Sequence, residues 1–289
     1  MKSNMKSFVV YCSLLGFLIL PAKATAWTKH LHFNDGADGV AAYGEDGFDD
    51  AAGGTTYDTE KSYEGGKSAR LSVTDGATAF GLWGGIITHP TNLVKGDEIW
   101  VRVRTYMPMG FDYNSSGEGA HLKFLRVHTR SDASSNQGYD DWYINPTTRN
   151  SDVPHKFIFE GQQAWSNFGS NSFGHIVLGV WETYEMYLKL DNVAKDNGGE
   201  ALVRFWKDGV LLGEATDRIT LSTDSSYSDR THIFTYWNGG APKTQHMWLD
   251  DVVVTSDTPG SVDADGNIFV GMGPTNRPSS PSSLLIQMK

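Results

Sequence analysis

Short runs rich in Val, Ile, Phe, Tyr, Trp and Thr recur along the chain, separated by clusters of Gly, Asn, Asp and Ser, and helical periodicity is almost absent. Such runs form half-buried strands, so the chain is restricted to an all-β architecture. The clearest candidates are Ser68 to Thr74, Ile99 to Met107, His121 to Thr129, His155 to Glu160, Thr183 to Asp191, Leu202 to Lys207, His232 to Trp237 and His246 to Thr255. Their spacing suits two antiparallel sheets packed as a sandwich or jelly roll. The run Trp206, Lys207, Asp208, Gly209, Val210 predicts a tight hairpin, because Asp-Gly supplies the positive φ angles that its turn demands.

Residues 1–26 carry basic residues, an apolar stretch from Phe8 to Leu20 and the small-residue triplet Ala24, Thr25, Ala26. This is the pattern of a secretory signal peptide with cleavage before Trp27, so a secreted protein is expected. The single cysteine, Cys12, lies inside it, which leaves the mature chain without disulfides. The economical division is a signal over 1–26, one β domain over 27–270 and an extended or disordered tail over 271–289, rich in Pro and Ser.

The full chain has 24 basic and 34 acidic residues, a formal net charge of −10, which disfavours a nucleic-acid partner. It leaves room for an acidic polysaccharide, since a few clustered cations create a locally positive cleft on an acidic protein. No later stretch reaches membrane-spanning length, and a soluble monomer is expected after cleavage. The loop from Asn34 to Gly54 holds Asp35, Asp38, Glu45, Asp46, Asp49 and Asp50 among glycines. With Asp250 and Asp251 it is a candidate for structural calcium, although its spacing is not that of an EF-hand and solvated turns have the same composition.

Alternation sorts each strand into a core face and a displayed face. In the strand from Glu98, residues Ile99, Val101, Val103 and Met107 form the core stripe. Trp100, Arg102, Arg104 and Tyr106 form the displayed one, which is either a glycan surface or an ordinary outer face. In the next strand His121 and Lys123 share a face, whereas Arg126 and His128 have the opposite parity and need a bulge to join them. A third cluster, Tyr236, Asn238, Gln245 and His246, surrounds a Gly-Gly-x-Pro turn. Of the aromatics Trp181, Tyr184, Tyr187 and Trp206, about two are expected to see solvent.

The run Val-Arg-Thr-Tyr-Met-Pro-Met-Gly-Phe-Asp-Tyr, then His-Leu-Lys-Phe-Leu-Arg, the Trp-Lys-Asp-Gly hairpin, Tyr-Trp-Asn-Gly-Gly and Leu-Asp-Asp-Val-Val-Val resemble the jelly-roll, concanavalin A-like polysaccharide lyases that act on glucuronan, alginate or ulvan. The resemblance implies β-elimination on a uronic-acid polymer without a metal or organic cofactor. Such a site must neutralise the uronate carboxylate, supply a base and protonate the leaving oxygen. Arg102 or Arg104 with Asn238 or Gln245 would hold the carboxylate, His128 or His121 would take the proton, and Tyr236 would protonate the leaving group or perform both transfers. Lys123 would join them as a further catalytic cation, with Trp100, Tyr106, Arg126 and His246 binding substrate. A non-catalytic, lectin-like glycan binder and a structural surface protein are the alternatives. Retaining hydrolysis is disfavoured: no Glu-x-Asp-x-x-Glu strand is present, and Glu182 and Glu185, three residues apart, face opposite ways.

Overall fold

The computed structural model describes residues 25–51, 53–78, 83–112, 122–130, 139–145, 156–161, 164–168 and 176–273, with only the backbone described between 139 and 168. Residues 1–24 of the expected signal over 1–26 and residues 274–289 of the expected tail over 271–289 lie outside them. One eight-stranded sheet runs in the order β13 (Val210–Ala215), β12 (Leu202–Lys207), β11 (Trp181–Lys189), β6 (Glu98–Tyr106), β15 (Gln245–Thr255), β4 (Ser68–Val73), β3 (Thr55–Asp58), and β1 (Thr28–Leu31) also pairs with β15. The other, seven-stranded, runs β10 (Ala164–Phe168), β9 (Lys156–Gly161), β8 (Tyr139–Asn145), β7 (Leu122–Arg130), β14 (Tyr227–Trp237), β5 (Gly85–Val94), β2 (Asp50–Ala51). All these pairings are antiparallel. A short hairpin, β16 (Ser261–Val262) with β17 (Ile268–Phe269), closes the domain. The expected two-sheet jelly roll is what the chain forms, and among the described residues no helix is long and apolar enough to cross a membrane.

The two sheets bury their facing apolar stripes against each other. Ile99, Val101 and Val103 of β6 and Tyr184, Met186 and Leu188 of β11 come from one sheet. Leu122, Phe124, Leu125 and Val127 of β7 and Ile233, Phe234 and Trp237 of β14 come from the other. Phe124 packs on Phe234 and, edge-on, on Tyr184, with centroids 4.6 and 4.9 Å apart. Each such side chain contributes about 1.5–3 kcal/mol on leaving water, so this core is the main source of stability in a fold with no disulfide among the described residues.

Three non-glycine residues with positive φ mark where the sheets depart from regular pairing. Asp208 (φ 48°) with Gly209 (φ 79°) makes the predicted hairpin turn between β12 and β13. Phe234 (φ 49°) sits in a bulge where β14 shifts register against β7 between Ile233 and Tyr236. Asp251 (φ 46°) sits in a bulge of β15, between Asp250 and Val253, where pairing with β6 slips.

Candidate functional site

Five sequence-selected residues, Lys123, Arg126, His128, Tyr236 and Asn238, bear on the open face of the seven-stranded sheet, and their grouping depends on two bulges. Leu122, Phe124, Leu125 and Val127 of β7 all enter the core. Two consecutive inward residues, Phe124 and Leu125, require the register shift that β7 shows against β8 between Lys123 and Leu125. The shift corrects the parity that separated the cations, so Lys123, Arg126 and His128 all face away from the core. On β14, Tyr236 is the cross-strand partner of Lys123, His232 of Arg126, and Arg230 of His128. Lys123 Nζ lies 5.5 Å from the centroid of the Tyr236 ring. Both are half-buried, as is Asn238 two residues further on, whose buried Oδ1 has no hydrogen-bond partner among the described residues. His121 lies outside the described residues.

His128 occupies a more enclosed place. It is 6% exposed and stacks on His232 with centroids 5.4 Å apart and planes 11° from parallel. Its Nδ1 lies 3.4 Å from Asp229 Oδ1, and Asp229 also pairs with Arg130 and Arg230, each at 2.9 Å. Burial holds the His128 pKa below its ordinary value, with Asp229 opposing and Arg126 and Arg130 reinforcing the shift. Burial raises the Asp229 carboxyl, but bonding from Arg230 and the charges around it outweigh that and leave it below the usual range. The result is an imidazole that binds a proton less readily than usual, within a cationic stripe on an acidic chain. His128 and Tyr236 do not meet, however. Along β7, Lys123, the partner of Tyr236, is five residues from His128, roughly 13–17 Å at ~3.3 Å per residue, so one sugar cannot share both.

The remaining candidates lie elsewhere, for reasons of tertiary packing. Arg102 and Arg104 face outward as their parity requires, but from the opposite sheet, and they are 4% and 1% exposed. Arg102 Nη2 and Arg104 Nε donate to the two oxygens of Asp251 at 2.6 Å. Arg104 also donates to Thr183 Oγ1 and Met272 O, and its guanidinium lies 4.0 Å from the Tyr63 ring centroid. Arg102 donates to Gly271 O. They form a structural lock beneath residues 268–273 and cannot hold a substrate carboxylate.

Trp100 is buried in the same layer, where it donates Nε1–H to Ile268 O and packs on Tyr187. Tyr106 packs against Trp181 and Trp248 on that outer face, and His246 meets Arg70 and Trp248 there. Neither reaches the cationic stripe. Gln245 clamps the segment after β6, accepting from Asp112 N and donating to Asp112 O. Of the four aromatics weighed for exposure, only Trp181 is more than marginally exposed. Glu182 and Glu185 do point to opposite faces: Glu182 pairs with Lys207 at 2.5 Å, and Glu185 accepts from Val270 N and Gly271 N beneath the strap.

Three residues that the sequence reading passed over stand in the stripe: Asp229, Arg230 and His232. They were detectable in principle as the displayed set of a longer β14, whose start the sequence placed at His232 rather than Tyr227.

An antiparallel jelly roll with a cationic, tyrosine-bearing open face is the class that this geometry defines. Several solved structures share this fold. Alginate lyase Aly36B superposes with a TM-score of 0.53 at 14% identity, over 78% of this chain and 96% of that one. A doubly substituted form of the same enzyme in complex with alginate trisaccharide gives 0.52 at 15% identity, over 78% and 97%. The endo-β-1,4-glucuronan lyase of the fungus Trichoderma reesei gives 0.46 at 14%, over 80% and 98%. The Aly36B likenesses confirm the jelly-roll fold expected from the sequence. No protein-family model matches the chain, and no curated protein matches it.

Proposed function

We propose that this protein is a secreted lyase that cleaves a uronic-acid-containing polysaccharide by β-elimination, with Tyr236 as the proton-transfer group. The observation that carries the reading is the direct pairing of Tyr236 with Lys123 at the half-exposed end of a cationic stripe. Lys123 neutralises the uronate carboxylate, which makes the adjacent carbon-bound proton removable. The Tyr236 oxygen, acting as phenolate, takes that proton and becomes a hydroxyl. The released electron pair forms the carbon–carbon double bond as the glycosidic carbon–oxygen bond breaks, and the leaving oxygen takes a proton back from the same hydroxyl. Proton balance therefore closes on one side chain, which the separation of His128 from Tyr236 favours over a two-residue relay. Arg130 and Arg230, both half-buried, line the neighbouring sugar positions. The alginate trisaccharide held by the Aly36B variant supports an acidic polymer as partner.

The test is to incubate the chain from Trp27 with alginate, glucuronan, ulvan, hyaluronan, chondroitin and heparin and follow the ultraviolet absorbance of the unsaturated uronate. A rise with one polymer that disappears in Tyr236→Phe supports the reading. Turnover unchanged in Tyr236→Phe removes Tyr236 from the mechanism. No rise with any polymer, together with retarded migration in gels containing one of them, makes the protein a glycan binder.

A further inference from the structure

The outer face of the eight-stranded sheet carries a cluster that the proposed chemistry does not use. His30, on β1, and His32, directly after it, lie two residues apart, so both side chains leave the strand on one side while Leu31 between them enters the core. Their rings are 3.8 Å apart. Across the pairing of β1 with β15, the bulge at Asp251 turns a third donor toward them: His30 Nε2 lies 2.5 Å from Asp251 Oδ1. One ligand atom from each of His30, His32 and Asp251 falls within 4.8 Å of the other two. A tetrahedral ion with bonds of ~2.0–2.2 Å needs donors roughly 3.3–3.6 Å apart, so sub-ångström to ångström rotations of two surface imidazoles complete the geometry. Glu64 Oε2, 3.3 Å from His32 Nδ1, adds a further oxygen donor at the edge of the cluster.

We propose that His30, His32 and Asp251 form a binding site for a divalent first-row transition ion of the zinc type. Two imidazoles and one carboxylate select a borderline acid over calcium or magnesium, which prefer all-oxygen sets. The site is accessible, since the side chains of His30 and His32 are 39% and 40% exposed, and it is anchored, since Asp251 is 1% exposed. The backbone is fixed as well: His32 N donates to Asp46 Oδ1. Arg102 and Arg104 lie behind Asp251 and fix its carboxylate from the side away from the two imidazoles. Asp251 keeps its arginine bonds when an ion takes the place of its contact with His30. The ion would staple the first strand to the strand that locks the C-terminal strap, serving a chain whose mature part has no cysteine.

The experiment uses the chain from Trp27, freed of metal, in three forms: the parent, His32→Gln and the double variant His30→Gln/His32→Gln. His32→Gln leaves the His30–Asp251 bond intact, so it tests the site in a folded protein. Zinc titration by calorimetry should show one equivalent bound to the parent and at least tenfold weaker binding to His32→Gln. Zinc at a hundredfold excess over its Kd should raise the parent Tm by roughly 5–10 °C and leave the double variant unmoved. Cobalt(II) should give the intense visible bands of a tetrahedral site in the parent alone. Absence of saturable zinc binding, or the same stoichiometry and affinity in the double variant, overturns the proposal. None of these readouts involves turnover, so they stand or fall apart from the lyase reading.

Discussion

Replacing Asp251 by Asn tests whether the two arginines serve the fold or a substrate. Asn has the shape of Asp and tolerates the left-handed backbone (φ 46°) at this position, so the change removes charge without adding strain. Asp251 accepts from Arg102 and Arg104 at 2.6 Å, and all three side chains are at most 4% exposed. Asn presents an amide N–H to one of these donors and leaves two guanidiniums sharing a neutral oxygen in a dry layer. Breaking a buried ion pair from one side costs about 3–5 kcal/mol. For a domain of this size that lowers Tm by roughly 6–20 °C. Urea unfolding followed by tryptophan fluorescence should show a lower midpoint at an unchanged m-value. At temperatures where the variant is folded, cleavage of the polymer should match the parent. A loss under about 1 kcal/mol, the range of an exposed ion pair, would refute the argument. A folded Asp251→Asn variant with lost turnover would return the arginines to the substrate.

Gly84 has φ 76°, and a Cβ there would stand 2.2 Å from the carbonyl oxygens of Ile233 and Phe234, in the bulge that aims Tyr236. Gly84→Ala should therefore cost about 2 kcal/mol or more and depress turnover in the molecules that remain folded; equal stability and rate would show the bulge to be compliant. Burial raises the Glu185 carboxyl from 4.5 to about 7, so between those values it is protonated in the folded protein and ionised in the unfolded chain. Its contribution therefore falls as pH rises through that window, and the parent should lose Tm relative to Glu185→Gln from pH 5 to 8; a constant difference would contradict the shift. His89, buried beside Trp27 and Thr231, has its pKa lowered by burial from 6.5 to about 4. The sign is opposite: the unfolded chain takes up the proton first, so the parent should lose stability relative to His89→Gln as pH falls from 6.5 to 4.

The amino-acid sequence by itself determined the strands of the central sheets and the hairpin at Asp208–Gly209. Both follow from local chemistry: alternation fixes which side chains enter a core, and Asp-Gly fixes a turn. It also determined that Trp100, Arg102, Arg104 and Tyr106 share one face. Parity cannot say what covers that face. The covering segment comes from Ile268 to Gly273, about 170 residues away along the chain, and its arrival converts a plausible sugar surface into a buried lock. Bulges were the second blind spot, since an extra residue in β7 or β14 leaves no compositional mark but reverses the face of everything beyond it. One such shift brought Lys123, Arg126 and His128 together, and the pairing of β14 then set Tyr236 beside Lys123 and far from His128. His30 and Asp251, 221 residues apart, became neighbours only because the first strand pairs with β15. Local propensity acts over a few residues, whereas a site is made by whichever distant segments the sheet order brings side by side, and tertiary structure alone decides that order.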